Sequence, residues 1–343
     1  MTARPIILSP MRGSKKPPRV AALLVLAALV CVAGGVWWAA AQEPPQDEHR
    51  IRVEVGVVSI YCTVKSGKGG LVTDLAQEDF EVFEDGKRQE VKYFARETDR
   101  PLTLALLFDT SGSQRDVLAE EKSAAAQFVR QVVRPSDLAL FVTFDLDVDL
   151  LQDFTSDVER LEEAVHRARI GAGGPPPGVQ GPFPQKGPQG TRLYDAIYLA
   201  SKDKLGPEVG RKAIILVSDG EDFGSRVKEK EAQEAAQRSD TIVYAVGFVD
   251  PRLMWMYAGR DYRGDGVLKK LASETGGRAI FPRGPEDLKE AFDQIAAELR
   301  SQYYLGYTPI NSVRDGKFRK IEVKVKRDGL KVQARRGYYA AAE

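Results

Sequence analysis

Leu104–Asp116, "LALLFDTSGSQRD", joins two unlike halves. Leu104 to Phe108 are uniformly apolar, the pattern of a strand buried on both faces rather than half-exposed. The run ends abruptly in an acid and three hydroxyls: Asp109, Thr110, Ser111 and Ser113. A second strand of this kind, "KAIILVS" (Lys212–Ser218), is followed at once by Asp219. In an open parallel sheet, ligand sites lie at the carboxyl ends of strands where the strand order reverses. Two such strands flanking that crevice would bring Asp109 and Asp219 together beside the serine hydroxyls.

Working outward, strands and helices alternate from Pro101 onward. The strand candidates are Leu102–Phe108, Leu138–Phe144, Val148–Phe154, Ala213–Ser218, Ile242–Phe248 and Ala279–Phe281. Between them, Ala125, Phe128, Val129 and Val132 recur at helical spacing, as do Leu193, Ala196, Ile197 and Ala200. Asp287–Gln302 closes the series, with Leu288, Phe292, Ile295 and Leu299 on one stripe. The alternation predicts a doubly wound, mainly parallel α/β sheet over residues 101–300. Within it, Gly171–Gly190 has seven Gly and six Pro in twenty positions, which excludes a helix or a central strand.

Both flanks read as β. In segment 51–98, Val53, Val55 and Val57 alternate with other residues, and Asp85-Gly86 separates strands Phe80–Glu84 and Lys87–Phe94. In segment 301–340, Ile321, Val323 and Val325 alternate with charged residues. Asp328-Gly329 then turns the chain into Leu330, Val332 and Ala334, the pattern of a second hairpin. A lone hairpin is marginal in water. The two segments are therefore expected to pack as one small β domain with the α/β domain inserted between them.

The chain has 343 residues, enough for roughly two domains of about 150 residues. Its 50 basic and 49 acidic side chains leave a net charge of +1, which gives no electrostatic case for nucleic-acid binding. Residues 1–41 read as an export segment: Arg12, Lys15, Lys16 and Arg19 precede the uncharged run Val20–Ala41. It serves either as a cleaved signal peptide, with Ala39-Ala40-Ala41 as the cleavage site, or as a retained membrane anchor. Either way the basic flank stays inside, and Glu43, Asp47 and Glu48 of the linker 42–50 go out. Cys31 lies in the export segment, and Cys62 sits in a strand pattern as a small core residue. The two histidines, His49 and His166, fall in the linker and on a helix, so a Ser-His-Asp triad has no support.

Oxygen donors without His or Cys suit Mg²⁺, Mn²⁺ or Ca²⁺. Neutral hydroxyls leave the cation most of its charge, so it attracts an outside carboxylate as a further ligand. "DTSGS", then Thr191 in "GTRLYDAI", then "LVSDGED" resemble the metal-ion-dependent adhesion site of von Willebrand factor type A (VWA) domains. That family's pattern, D-x-S-x-S followed by T and then D, falls on Asp109, Ser111, Ser113, Thr191 and Asp219. The resemblance implies direct metal bonds from the serines and the threonine, acids acting through water, and the doubly wound sheet. The flanks "VTDLAQEDFEVFEDGKRQEVKYF" and "ELRSQYYLGYTP" are similar to those of exported VWA-related proteins of acidobacterial type. The Pro/Gly-rich insertion before Thr191 departs from the short loop frequent in that family.

Other motifs have plainer readings. Asp109, Ser111 and Ser113 would cap a helix if they stood alone, as would Thr191. Glu221 and Asp222 read as solvated loop acids. "FDLDVDLL" (Phe144–Leu151) lacks the Gly and Glu that a calcium-binding EF-hand loop requires and reads as a polar hairpin turn. Trp255, Tyr257 and Tyr262 cluster in the loop Asp250–Gly266, as partner anchors or as edge packing. The residues imply a non-enzymatic, cation-dependent binding module outside the cytoplasm, its protein partner offering an Asp or Glu. The alternatives are a metal-dependent phosphoester hydrolase, with Asp219 or Asp222 as base, and a structural envelope protein with a stabilising metal.

Overall fold

The computed structural model describes residues 56–96, 100–171, 190–248 and 264–342. The export segment, the linker, residues 172–189 of the Pro/Gly-rich stretch, and Trp255, Tyr257 and Tyr262 lie outside the described residues. In chain order the strands are β1 (Val58–Ser66), β2 (Phe80–Glu84), β3 (Lys87–Gln89), β4 (Tyr93–Arg96), β5 (Leu102–Asp109), β6 (Leu138–Phe144), β7 (Val148–Thr155), β8 (Arg211–Ser218), β9 (Thr241–Gly247), β10 (Ala279–Ile280), β11 (Tyr303–Tyr307), β12 (Phe318–Val325), β13 (Leu330–Ala334) and β14 (Gly337–Tyr339). The helices are α1 (Leu118–Val132), α2 (Val158–Arg167), α3 (Leu193–Leu199), α4 (Glu229–Arg238), α5 (Gly264–Thr275) and α6 (Pro285–Leu299).

The central sheet runs β10-β9-β8-β5-β6-β7. Neighbours are parallel except β7, which folds back antiparallel on β6 at the edge. Strands β5, β8 and β9 are buried along their whole length, as their continuous apolar runs require. On β5 the side chains alternate between two cores. Leu104, Leu106 and Phe108 pack with Phe128 of α1, Leu161 of α2 and Phe292 of α6. Ala105 and Leu107 pack with Ile197 of α3, Ala236 of α4 and Leu271 of α5. The mainly parallel, doubly wound architecture is thus present. The polar run between β6 and β7 is a hairpin turn, with Asp145 N–H bonded to Asp147 O.

The flanking segments form two four-stranded sheets, β13-β1-β11-β4 and β14-β12-β2-β3. One core serves both, with Ile60, Cys62 and Val64 of β1, Val82 of β2, Tyr303 and Leu305 of β11, and Ile321 of β12. Two local expectations need correction. β12 and β13 are not hairpin partners: β12 pairs with β2 and β14, and β13 pairs with β1. The turn at Gly329 (φ +73°) bends the chain, but it carries the strand from one sheet to the other. There Val332 lies opposite Val64, and Val323 opposite Val82, so each strand pairs with an apolar partner from the other end of the chain. Likewise the expected strand Lys87–Phe94 breaks. β3 pairs with β2 around Asp85-Gly86 (φ +47° and +79°), whereas β4 leaves for β11.

Candidate metal centre

The site begins with register. β5 and β8 are adjacent and parallel, with Phe108 opposite Val217, so Asp109 and Ser218 emerge side by side. Ser218 Oγ donates to Asp109 Oδ2 at 2.8 Å, and Ser111 N–H donates to Asp109 Oδ1 at 2.9 Å. Both carboxylate oxygens are therefore fixed before any ligand arrives. The chain then makes a single 3-10 turn, Gly112–Gln114, which brings Ser111 Oγ and Ser113 Oγ to 2.9 Å. Ser113 also bonds the Asp219 carboxylate, and Asp219 Oδ1 accepts Glu221 N–H at 3.0 Å. Gly220, next to Asp219, lets this loop pass close to the start of α5: its φ is +83°, and a Cβ there would stand 2.5 Å from Gly264 O.

Capping does not account for these side chains. α1 starts at Leu118 with no side-chain cap, and the 3-10 turn has none from Ser111. Thr191 is not the cap of α3 either, since Arg192 holds that position. Thr110 turns away, its hydroxyl directed at Phe144 O and Asp145 Oδ2.

Asp109, Ser111, Ser113 and Asp219 thus form one hydrogen-bonded group. Thr191, also buried, reaches it through main chain, exchanging two backbone bonds with Phe223 just beyond Asp219. That loop is laced to α3. Ser225 Oγ accepts Tyr194 N–H and Asp195 N–H, while Asp195 Oδ1 accepts Arg226 N–H and Val227 N–H. Asp222 accepts from Tyr194 N–H and Ser225. It is a bracing residue rather than the solvated acid its sequence suggests.

Two carboxylates buried together without a cation are electrostatically costly. Burial and then Asp219 push Asp109 up to about 7, and burial raises Asp219 as well. A third acid feels the charge of both. Glu121 on α1 is fully buried, and burial followed by Asp109 and Asp219 holds it well above the ordinary carboxylate range. Motif spacing does not reveal Glu121, but helical spacing does: Leu118, Glu121, Ala125, Phe128 and Val132 form the buried stripe of α1. Among the described residues no group of three or more His, Cys, Asp or Glu is placed to hold a metal by itself. The donor set here is instead two carboxylates plus hydroxyls. Hard, all-oxygen and carrying unbalanced negative charge, it fits a divalent cation.

No protein-family model matches the sequence, and no curated protein matches it. Solved structures do show likeness. BatB of Bacteroides thetaiotaomicron is 21% identical, with 59% of this chain and 99% of that one covered, at a TM-score of 0.41. A von Willebrand factor type A structure from Catenulispora acidiphila is 12% identical, with 82% and 73% covered, at 0.45. Proximal thread matrix protein 1 from the mussel byssus, with a zinc-occupied metal-ion-dependent adhesion motif, is 16% identical, with 59% and 48% covered, at 0.43. The chain has a VWA-like fold, which its own strand order and helix layers display.

Proposed function

We propose that this protein is a non-enzymatic protein-binding module of adhesion type that depends on a divalent cation. The supporting observation is the pair Asp109–Asp219, buried at the carboxyl ends of adjacent strands and bonded to Ser111 and Ser113. In this reading Asp109, Ser111, Ser113, Thr191 and Asp219 hold Mg²⁺, with Mn²⁺ or Ca²⁺ as substitutes. When bound, the cation supplies a Lewis-acidic position for an Asp or Glu carboxylate of a partner protein. The protein's own groups fix the geometry: Ser218 and the Ser111 N–H orient Asp109, and the Asp195 and Ser225 bonds brace the loop of Asp219 and Thr191. A hydrolytic reading needs a general base. Of the two candidates, Asp222 is engaged with Ser225 and Tyr194, which disfavours it. Action outside the cytoplasm rests on the export segment in the sequence.

Calorimetry with Mg²⁺ and Mn²⁺, paired with a pull-down from envelope extract in Mg²⁺ or EDTA, tests the reading. The expected result is cation binding by wild type, none by Asp109→Ala, and a partner recovered only with the cation. An Asp109→Ala variant that binds either cation as wild type does would overturn the site.

A further inference from the structure

Among the described residues, Glu121 is the carboxylate with both oxygens buried and without a hydrogen-bond partner. Its residue is 0% exposed. The charges that act on it come from Asp109, Asp219 and Glu120, all of the same sign. An unpaired charge in such a place is strongly unfavourable. A proton relieves the charge but leaves an O–H donor and a carbonyl still without partners. Gln114, at the end of the 3-10 turn, repeats the pattern. Its Nε2 donates to Ser113 Oγ at 3.4 Å, while its Oε1 is buried and unpaired. Successive turns lead from one to the other: Val117 N–H bonds Gln114 O, and Glu121 N–H bonds Val117 O. Unpaired acceptors thus occur both in the turn that presents Ser111 and Ser113 and in the first turn of the helix that follows it.

We propose that Glu121 is an outer carboxylate of the metal centre, accepting hydrogen bonds from water coordinated to the cation and balancing its charge. This rests on the metal reading above and adds a residue outside the D-x-S-x-S, T, D pattern. The contact is through water, because the three acids are not placed to form a direct ligand set. A carboxylate in this position orients coordinated water and raises cation affinity, as outer groups of metal sites generally do.

The test compares wild type, Glu121→Gln, Glu121→Leu and Asp109→Ala, each as the full chain. Mg²⁺ affinity is read by calorimetry, and melting temperature is read in EDTA and in saturating Mg²⁺. Glu121→Gln is expected to weaken Mg²⁺ binding by about 10- to 100-fold. Glu121→Leu should melt above wild type in EDTA, because the unpaired carboxyl is gone, yet gain less on adding Mg²⁺. A residue with only a packing role would lower both melting temperatures equally, and that result overturns the proposal. So does wild-type affinity in Glu121→Gln while Asp109→Ala has lost binding; the metal reading then survives and the role of Glu121 does not. Wild type that binds neither Mg²⁺ nor Mn²⁺ removes both.

Discussion

At the scale of single residues, the proposed metal centre is an electrostatic problem that the protein solves only in part. Asp109 is pushed up to about 7 by burial and by Asp219, whereas an unfolded aspartate titrates near about 3.9. A group raised on folding contributes stability below its unfolded value and loses it as pH climbs through the folded value. The metal-free protein should therefore lose melting temperature between about pH 4 and pH 7. Saturating Mg²⁺ should restore it, so the Mg²⁺-induced shift grows across that window; a shift independent of pH in thermal scans would contradict this. Gly220 makes a second prediction. With φ at +83° and Gly264 O in the way, Gly220→Ala should cost more than about 1 kcal/mol of stability and weaken cation binding, read by denaturant melts and calorimetry. Residue chemistry was legible where spacing encodes it. Asp109, Ser111, Ser113 and Asp219 are found together, whereas Glu121 belongs to no motif and shows only as a charge on an apolar stripe. Asp222 reads as solvated because loop acids look alike in sequence, whether they face solvent or hold backbone N–H groups.

At the scale of elements, continuous apolar runs identified the central strands because burial on both faces leaves no polar alternation to confuse the period. Pairing was less legible. Alternation and an Asp-Gly turn mark β12 and β13 as strands joined by a bend, but neither signal says which sheet each strand joins. That choice is made by distant partners, Val82 for Val323 and Val64 for Val332. The contact between α3 and the loop after Asp219 is likewise non-local. Asp195, buried on α3, satisfies the N–H groups of Arg226 and Val227. Asp195→Ala would leave those donors unpaired at about 1–3 kcal/mol each. We expect lower melting and a several-fold loss of cation affinity, with Asp195→Asn milder because its carboxamide oxygen still accepts. Loss of stability with affinity fully retained, measured by calorimetry below the melting range, would show that the brace does not position Asp219.

At the scale of the molecule, the β sandwich and the α/β layers meet at Glu298, near the end of α6. Its buried carboxylate accepts from Lys65 of β1 at 2.7 Å and, more weakly, from Gln333 of β13 at 3.5 Å, and it forms an ion pair with Arg278 beside β10. Around it, Arg336 pairs with Glu274 at 3.6 Å and Arg335 with Asp240. Gly276 lies against the β13 end, where a Cβ would stand 2.6 Å from Arg335 N. The sandwich itself draws on both ends of the chain: among the described strands β1 lies between β13 and β11, and β2 lies between β12 and β3. A chain ending at Gln302 loses β11 to β14. β1 then has no strand partner, β2 keeps only β3, and the shared core loses Tyr303, Leu305, Tyr307 and Ile321. A two-stranded remnant of that kind does not hold in water. Limited proteolysis of this truncation should cut within residues 56–96, whereas the full chain should resist there. The central sheet keeps all six strands and both helix layers, so Mg²⁺ should still raise the melting temperature of the truncated protein. If residues 56–96 stayed protected, the sandwich would not depend on the C-terminal strands. If the Mg²⁺ response vanished with the sandwich, the metal centre would depend on the seam at Glu298 as well as on the sheet that carries it.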